Sequence, residues 1–241
     1  MDNLFIIDLG GIIQMNMKIE YEPHQPHMSE LTDGSIAEFL KTENNRFDES
    51  MKASFFENEE YTKIISATQK VCTEALRIVE NSEIKGFTLA ISQQGKDYPV
   101  KTTQLGEVLD SDRQVLLALL NTKILKTNPT FGFSGQLSDE GNVFIDYLGA
   151  IKYNKGWIIS VKGFDNNPFM NVTVNLAIAI GSKLISHDEA MKTARKVNID
   201  CASIFSKYAE VLTKAFYSQS LPEIDGQLSD LYRQSLLKKS H

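Results

Sequence analysis

The segments FGFSGQLS (131–138), NVFIDYLGAIKY (142–153), WIISVKGF (157–164) and NVTVNLAIAI (171–180) decide how this chain is read. All four are rich in β-branched and aromatic residues. They are separated by Asp139-Glu140-Gly141, Asn154-Lys155-Gly156 and Asp165-Asn166-Asn167-Pro168. Gly, Asn and Asp tolerate positive φ and Pro presets its own, so these separators are turn chemistry between strands. A four-stranded antiparallel meander over 131–181 follows. Its last member needs a decision, because Met170 to Ile180 suits a buried helix on composition. Met170, Val172, Val174, Leu176, Ile178 and Ile180 recur with a period of two, however, and that alternation makes the segment a strand. Asn175 then shares the opposite face with Thr173, Ala177 and Ala179. On this reading Trp157–Phe164 pairs with Asn171–Ile180, and the next helix starts only at Ser186.

Upstream, Glu59 to Asn81 carries Ile64, Ile65, Thr68, Val71, Cys72, Ala75, Leu76 and Val79 at spacings of three and four, the stripe of an amphipathic helix. Gly86–Ser92 reads as a strand and Gln94-Gly95 as a turn. Tyr98–Gln104 is a weaker strand whose Pro99 favours a sheet edge. Asp110 or Ser111 caps a helix with the core face Val115, Leu116, Leu119, Leu120, Ile124 and Leu125, and Asn128-Pro129 ends it. At the start of the chain, Leu4–Leu9 and Ile12–Tyr21 make a hairpin across Gly10-Gly11. From Glu22 to Asn58 the chain is most linker-like, with Pro23, Pro26, Asp33-Gly34 and the polar run Thr42–Asp48. Within it, Ile36, Phe39 and Leu40 suit one short helix, and Phe47, Met51, Phe55 and Phe56 suit a segment packed on the main body.

Downstream, Ser186-His187-Asp188-Glu189 is a capping box, opening a helix that runs to about Ser218. Pro222 separates a last amphipathic helix, Ile224 to Lys238, with Leu228, Leu231, Tyr232 and Leu236 on one side. The expected architecture is α+β: the meander 131–181 and the hairpin 86–104 in an antiparallel sheet, the N-terminal hairpin 4–21 a candidate addition, and helices packed mainly on one face. Three parts are expected: an N-terminal extension at 1–58, a core at 59–220 and a C-terminal helix at 221–241.

Bulk properties narrow the function classes. A chain of 241 residues with 42% apolar content suits one large domain, or one domain with appendages. A formal charge of -6 argues against general nucleic-acid binding, which needs a basic face. Cys72 and Cys201 are far apart in sequence, each within an expected helix, so two buried thiols are expected rather than a zinc cluster or a disulfide framework. Met1-Asp2 and the break of the apolar run at Asp8 do not make a secretory signal, and no eighteen-residue apolar stretch exists. A cytoplasmic, acidic protein is the expectation. The sequon Asn171-Val172-Thr173 reads simply as strand.

Four stretches were weighed for chemistry. Asp8-Leu9-Gly10-Gly11 after an apolar strand resembles the opening of haloacid-dehalogenase-like phosphatases and actin-like nucleotide-binding folds, where a strand-end aspartate precedes a phosphate-approaching loop. No helix follows these glycines, and a hairpin turn accounts for them. His24 and His27 are close enough to share a metal but lack a third ligand nearby, which leaves them as a solvated turn. Ala177 to Lys183 leading into a long helix resembles the strand-turn-helix of N-terminal-nucleophile hydrolases. Those enzymes expose a processed Thr, Ser or Cys, whereas this chain has Met1-Asp2, and Ser29 and Thr32 carry no supporting pattern. Leu116 to Tyr147, a leucine-rich helix followed by a hairpin with Asp139-Glu140-Gly141 and Val143 to Tyr147, resembles the central part of type III secretion chaperones. That resemblance implies an acidic α/β dimer holding unfolded effector segments on apolar grooves. Two further strands are expected here where that family places a helix.

The acidic residues all have structural explanations. Asp139 and Glu140 share a turn, Glu57, Glu59 and Glu60 cluster at a helix start, and Asp188 and Glu189 serve the cap. Trp157 reads as core at a sheet end. No catalytic, cofactor-binding or metal-ligating residue is assigned. The expected function is a soluble, non-enzymatic interaction protein with a protein partner or a second copy of itself, acting as adaptor, effector or chaperone. The alternative is a hydrolase or small-ligand-binding protein whose site is assembled from distant residues.

Overall fold

The computed structural model describes residues 4–5, 17–18, 33–78, 84–96, 99–108, 111–136, 143–164 and 166–217. The chain divides into two units, Met1–Phe39 and Leu40–His241. In the first, β1 (Leu4–Phe5) and β2 (Met17–Lys18) pair antiparallel, as the arms of the expected hairpin. Gly10-Gly11 between them lies outside the described residues.

The second unit is built on a four-stranded antiparallel sheet of β3 (Lys85–Gln93), β4 (Lys101–Glu107), β5 (Ala150–Lys152) and β6 (Trp157–Lys162), in the order β4-β3-β6-β5. Around it are α1 (Asp33–Ala53) from Leu40 onward, α2 (Phe55–Ile78), α3 (Ser111–Thr127), α4 (Pro168–Gly181), α5 (His187–Val197) and α6 (Ile199–Tyr217). This is the expected α+β class. Alternation along the two central strands divides their side chains between two faces. Phe87, Leu89 and Ile91 of β3, with Trp157, Ile159 and Val161 of β6, enter the main core beside α4, α2 and α6. The intervening residues turn to the other face, where Ala90 packs under Val115, Ala118 and Leu119 of α3, and Ile158 under Leu125. The helices therefore concentrate on one face while α3 covers the second. All six residues of β6 are buried as a result.

The fourth expected strand is a helix. Met170 to Ala179 lies within α4 and every one of those residues is buried. Because neighbours enclose α4 on all sides, no polar face marks its helical period, and the alternation of its bulkiest residues mimics a strand. Pro168, read as a turn residue, occupies the first turn of the helix, where its missing N–H costs nothing. Burial of Val172, Val174, Leu176 and Ile178 stabilises the fold by roughly 1.5–3 kcal/mol each. The first two expected strands of the meander are also corrected. Phe133 and Gln136 form isolated bridges, to Ile151 and Val143, and Ile145–Tyr147 is a turn of 3-10 helix, so among the described residues of the segment 142–153 only Ala150–Lys152 is strand. The backbone enters β5 through Gly149 at φ 145°, where a side chain would meet the Val161 carbonyl.

Both sheet edges have partners. On the β4 side, the Thr102 N–H donates to Asn44 Oδ1 (2.7 Å) and the Thr102 carbonyl accepts from Asn44 Nδ2 (3.0 Å), so an amide of α1 stands where another strand would pair. Lys101 and Asp48 form an ion pair beside it at 2.7 Å. At the β5 edge, the Ser134 N–H donates to Ala150 O and the Lys152 N–H to Gly132 O. The linker-like reading is thus corrected over 33–53, where α1 is continuous, while Phe47 and Met51 do pack into the core.

The expected capping box is present: the Ser186 N–H donates to Glu189 Oε2 (2.8 Å) and the Glu189 N–H to Ser186 Oγ (3.2 Å). The single long helix expected after it is two. Extended backbone at Asn198 closes α5, and its Oδ1 accepts the Asp200 N–H at 2.8 Å to open α6. Lys183 sits at φ 62° in a Schellman turn that ends α4, with Leu184 N–H donating to Ala179 O and Lys183 N–H to Ile180 O. Among the described residues no helix is long and apolar enough to cross a membrane.

Candidate functional site

The layer between α3 and the sheet holds the most unusual chemistry. The Gln94 amide donates to the Leu125 and Lys126 carbonyls (3.4 and 3.3 Å), which holds the C-terminal end of α3 at the β3 turn. Gln114, Ala118, Asn121 and Leu125 recur at spacings of four, three and four and line one helical face. Ala118 meets Ala90, and Leu125 meets Ala150 and Ile158. Asn121 therefore lies between two small apolar clusters, over the strand rows of Ser92 and Ser160. The register pairs Ala90 with Ser160, Thr88 with Lys162 and Ser92 with Ile158. Thr88, Ser92 and Ser160 thus surround the Ala90 methyl on the α3 face.

These side chains are fully buried: Thr88, Ser92, Ser160 and Asn121 are each 0% exposed. The three hydroxyls and both polar atoms of the Asn121 amide have no hydrogen-bond partner among the described residues. A buried polar atom left unpaired costs about 1–3 kcal/mol. Several together would rival the whole stability of a domain, about 5–15 kcal/mol. Lys162 lies on the same face, 4% exposed, and its Nζ donates to the Leu148 carbonyl at 2.6 Å. The sequence reading overlooked all five residues. The available signal was Ser160 and Lys162 at alternate positions of an otherwise apolar strand, together with Asn121 inside a leucine-rich helix.

Two amides of the main core are paired, whereas the buried Thr68 and Thr173 hydroxyls of α2 and α4 have no partner among the described residues. Asn175 Nδ2 donates to the Gly149 and Ile159 carbonyls (2.7 and 2.6 Å), and its Oδ1 accepts from the Tyr153 hydroxyl at 2.7 Å. Asn171 clasps Phe164, accepting from its N–H and donating to its carbonyl, both at 3.0 Å. Spaced by four on α4, the two amides pin this helix to the loops and strands beside it.

The residues weighed from sequence are scattered or structural. Asp8, Gly10, Gly11, His24, His27, Ser29, Thr32, Asp139 and Glu140 lie outside the described residues. Ala177–Lys183 is the end of α4, so the strand of an N-terminal-nucleophile arrangement is not there. Glu57 pairs with Lys96 and Glu59 with Lys63. Glu60 bonds Lys155 and accepts the Trp157 Nε1–H at 2.9 Å. Partial burial opposes ionisation of Glu60, but the hydrogen bonds from Lys155 and Trp157 outweigh it and hold the carboxyl below its usual range. Among the described residues no three His, Cys, Asp or Glu side chains gather as a metal site.

Cys72 and Cys201 are buried free thiols, as expected, and burial pushes each up to about 12. Burial likewise raises the Tyr153 hydroxyl well above its ordinary 10.0. In the unfolded chain a thiol titrates near 9.0, so rising pH charges the unfolded state first. The stability these groups contribute is complete below about pH 9 and lost as pH climbs toward 12. The urea midpoint is expected to be flat between pH 7 and 8.5 and to fall by pH 10.5. A Cys72→Ala/Cys201→Ala variant that falls as steeply as the parent would remove the thiols from this account.

Sheet, flanking helices and buried polar layer define a helix-enclosed antiparallel α+β protein in which buried hydroxyls and an amide lie beside the Lys162 ammonium. Comparison with family models, curated proteins and solved structures finds no match for the chain.

Proposed function

We propose that the chain is a non-enzymatic, chaperone-like interaction protein that holds a protein partner rather than transforming a substrate. The observation that carries this reading is α4. In its leucine-rich helix α3 the segment 116–147 resembles type III secretion chaperones, although the hairpin expected after that helix is reduced to isolated bridges; that family places a helix where the sequence suggested two more strands. The second of those two segments is α4, Pro168–Gly181. The acidic composition agrees with that class. The expected C-terminal helix, Ile224 to Lys238, lies outside the described residues; its sequence spaces Leu228, Leu231, Tyr232 and Leu236 as the apolar stripe a partner groove would take.

Affinity purification of the full chain from its native cells, with mass spectrometry, tests this. A reproducible protein partner is expected, with recovery reduced at least tenfold by Leu231→Glu/Leu236→Glu. Recovery of no partner under mild conditions overturns the interaction reading. A second reading, a small-ligand-binding protein, is favoured by one observation, the unpartnered groups between α3 and the sheet.

A further inference from the structure

The polar layer beneath α3 needs an occupant. Thr88 and Ser160 stand where the central strands are paired on both sides, and Ser92 where β3 pairs with β6, so the ladders already engage main-chain groups around them. Nor do the hydroxyls reach each other. Ser160 is directly opposite Ala90, which makes Thr88 and Ser92 its diagonal neighbours, roughly 7–8 Å away. Short hydroxyl arms leave a gap of roughly 5–6 Å, beyond the reach of a direct hydrogen bond and of the kind that water bridges. Asn121 adds two donors and an acceptor oxygen from the helix side. The apolar neighbours of this layer, Ala90, Ala118 and Ala150, carry small side chains.

We propose that ordered water molecules fill this layer, bridging Asn121 of α3 to Ser92, Ser160 and Thr88 of the sheet. Water fits on three counts. The four side chains are neutral and supply both donors and acceptors, as a water with about three partners needs. All four are sealed from solvent, which suits a small resident rather than a ligand that exchanges. The site also separates two apolar clusters that would otherwise be continuous beneath α3, so the water joins helix to sheet where direct apolar contact is interrupted. The inference is independent of the chaperone-like reading and competes with the small-ligand one.

A crystal structure of the full chain, grown without small organic additives, tests it. Isolated density peaks within hydrogen-bonding distance of the Asn121 amide and of at least two of the three hydroxyls are expected. Continuous density too large for water would overturn the proposal and establish a ligand site. Direct hydrogen bonds between Asn121 and the serines, with nothing between, would overturn it too. In solution, oxygen-17 relaxation dispersion should count at least one fewer long-lived water in Asn121→Leu than in the parent. An equal count in a folded variant would refute the assignment of that water to Asn121.

Discussion

Replacing Asn175 with alanine is expected to lower folding stability by about 4 kcal/mol, read as a drop in the urea midpoint at unchanged slope. Asn175 is fully buried in the middle of the most apolar helix of the protein. Its amide satisfies three bonds, to Gly149, Ile159 and Tyr153. Three hydrogen bonds contribute about 1 kcal/mol each, and an orphaned buried hydroxyl adds about 1–3 kcal/mol. The Tyr153 hydroxyl is that orphan. The Gly149 carbonyl is less affected, because it also accepts the Val161 N–H at 2.9 Å. Tyr153→Phe alone should cost about 1–2 kcal/mol, since it leaves only the Asn175 oxygen short of a donor. The double variant should therefore cost less than the sum of the two, because the orphaned hydroxyl has gone. Additive effects, or a loss below about 1 kcal/mol for Asn175→Ala, would mean that the amide is not what pins α4 to the sheet.

Trp157→Ala should cost a similar amount, about 3–5 kcal/mol. The indole is the largest fully buried side chain, sits at 0% exposure, and anchors the main core at the start of β6. Its Nε1–H also reaches Glu60 of α2, so one residue ties a sheet end to a helix. The two contributions can be separated. Trp157→Phe keeps most of the packing but loses the bond, and should cost distinctly less than alanine. Glu60→Ala loses the bond and the ion pair with Lys155, whose largely exposed ammonium is screened by solvent, so the effect of this variant reports mainly the bond. Because Trp157 is the sole tryptophan, unfolding of its variants is followed by circular dichroism rather than fluorescence. A phenylalanine variant as unstable as alanine would show that the hydrogen bond outweighs the packing.

How much was legible depended on how local the signal was. The Gln94-Gly95 turn, the edge position of the strand after Pro99, the start of α3 at Ser111 and the capping box of Ser186 and Glu189 all follow from residues a few positions apart. Each is decided by φ preference, a missing N–H or a short side-chain reach. The break at Asn198 was missed, since the apolar stripe runs through it and one asparagine serves both helix ends. None of the groups in the polar layer drew notice, because serine, threonine and asparagine are ordinary at half-exposed positions. They become a site only once both α3 and the strands bury them.

From residue types and spacing alone come the mixed α+β class, the antiparallel sheet, the buried thiols, the limits of α3 and the start of α5, because these depend on chain neighbours. Tertiary structure decided two things. It made NVTVNLAIAI part of a helix, since a segment enclosed on every side has no polar face from which its period can be read. It also gathered Thr88, Ser92, Asn121 and Ser160 into one sealed layer, because strand register and the placement of α3 bring together residues dozens of positions apart. Burial is a property of what covers a residue, and the covering elements here are distant in the chain.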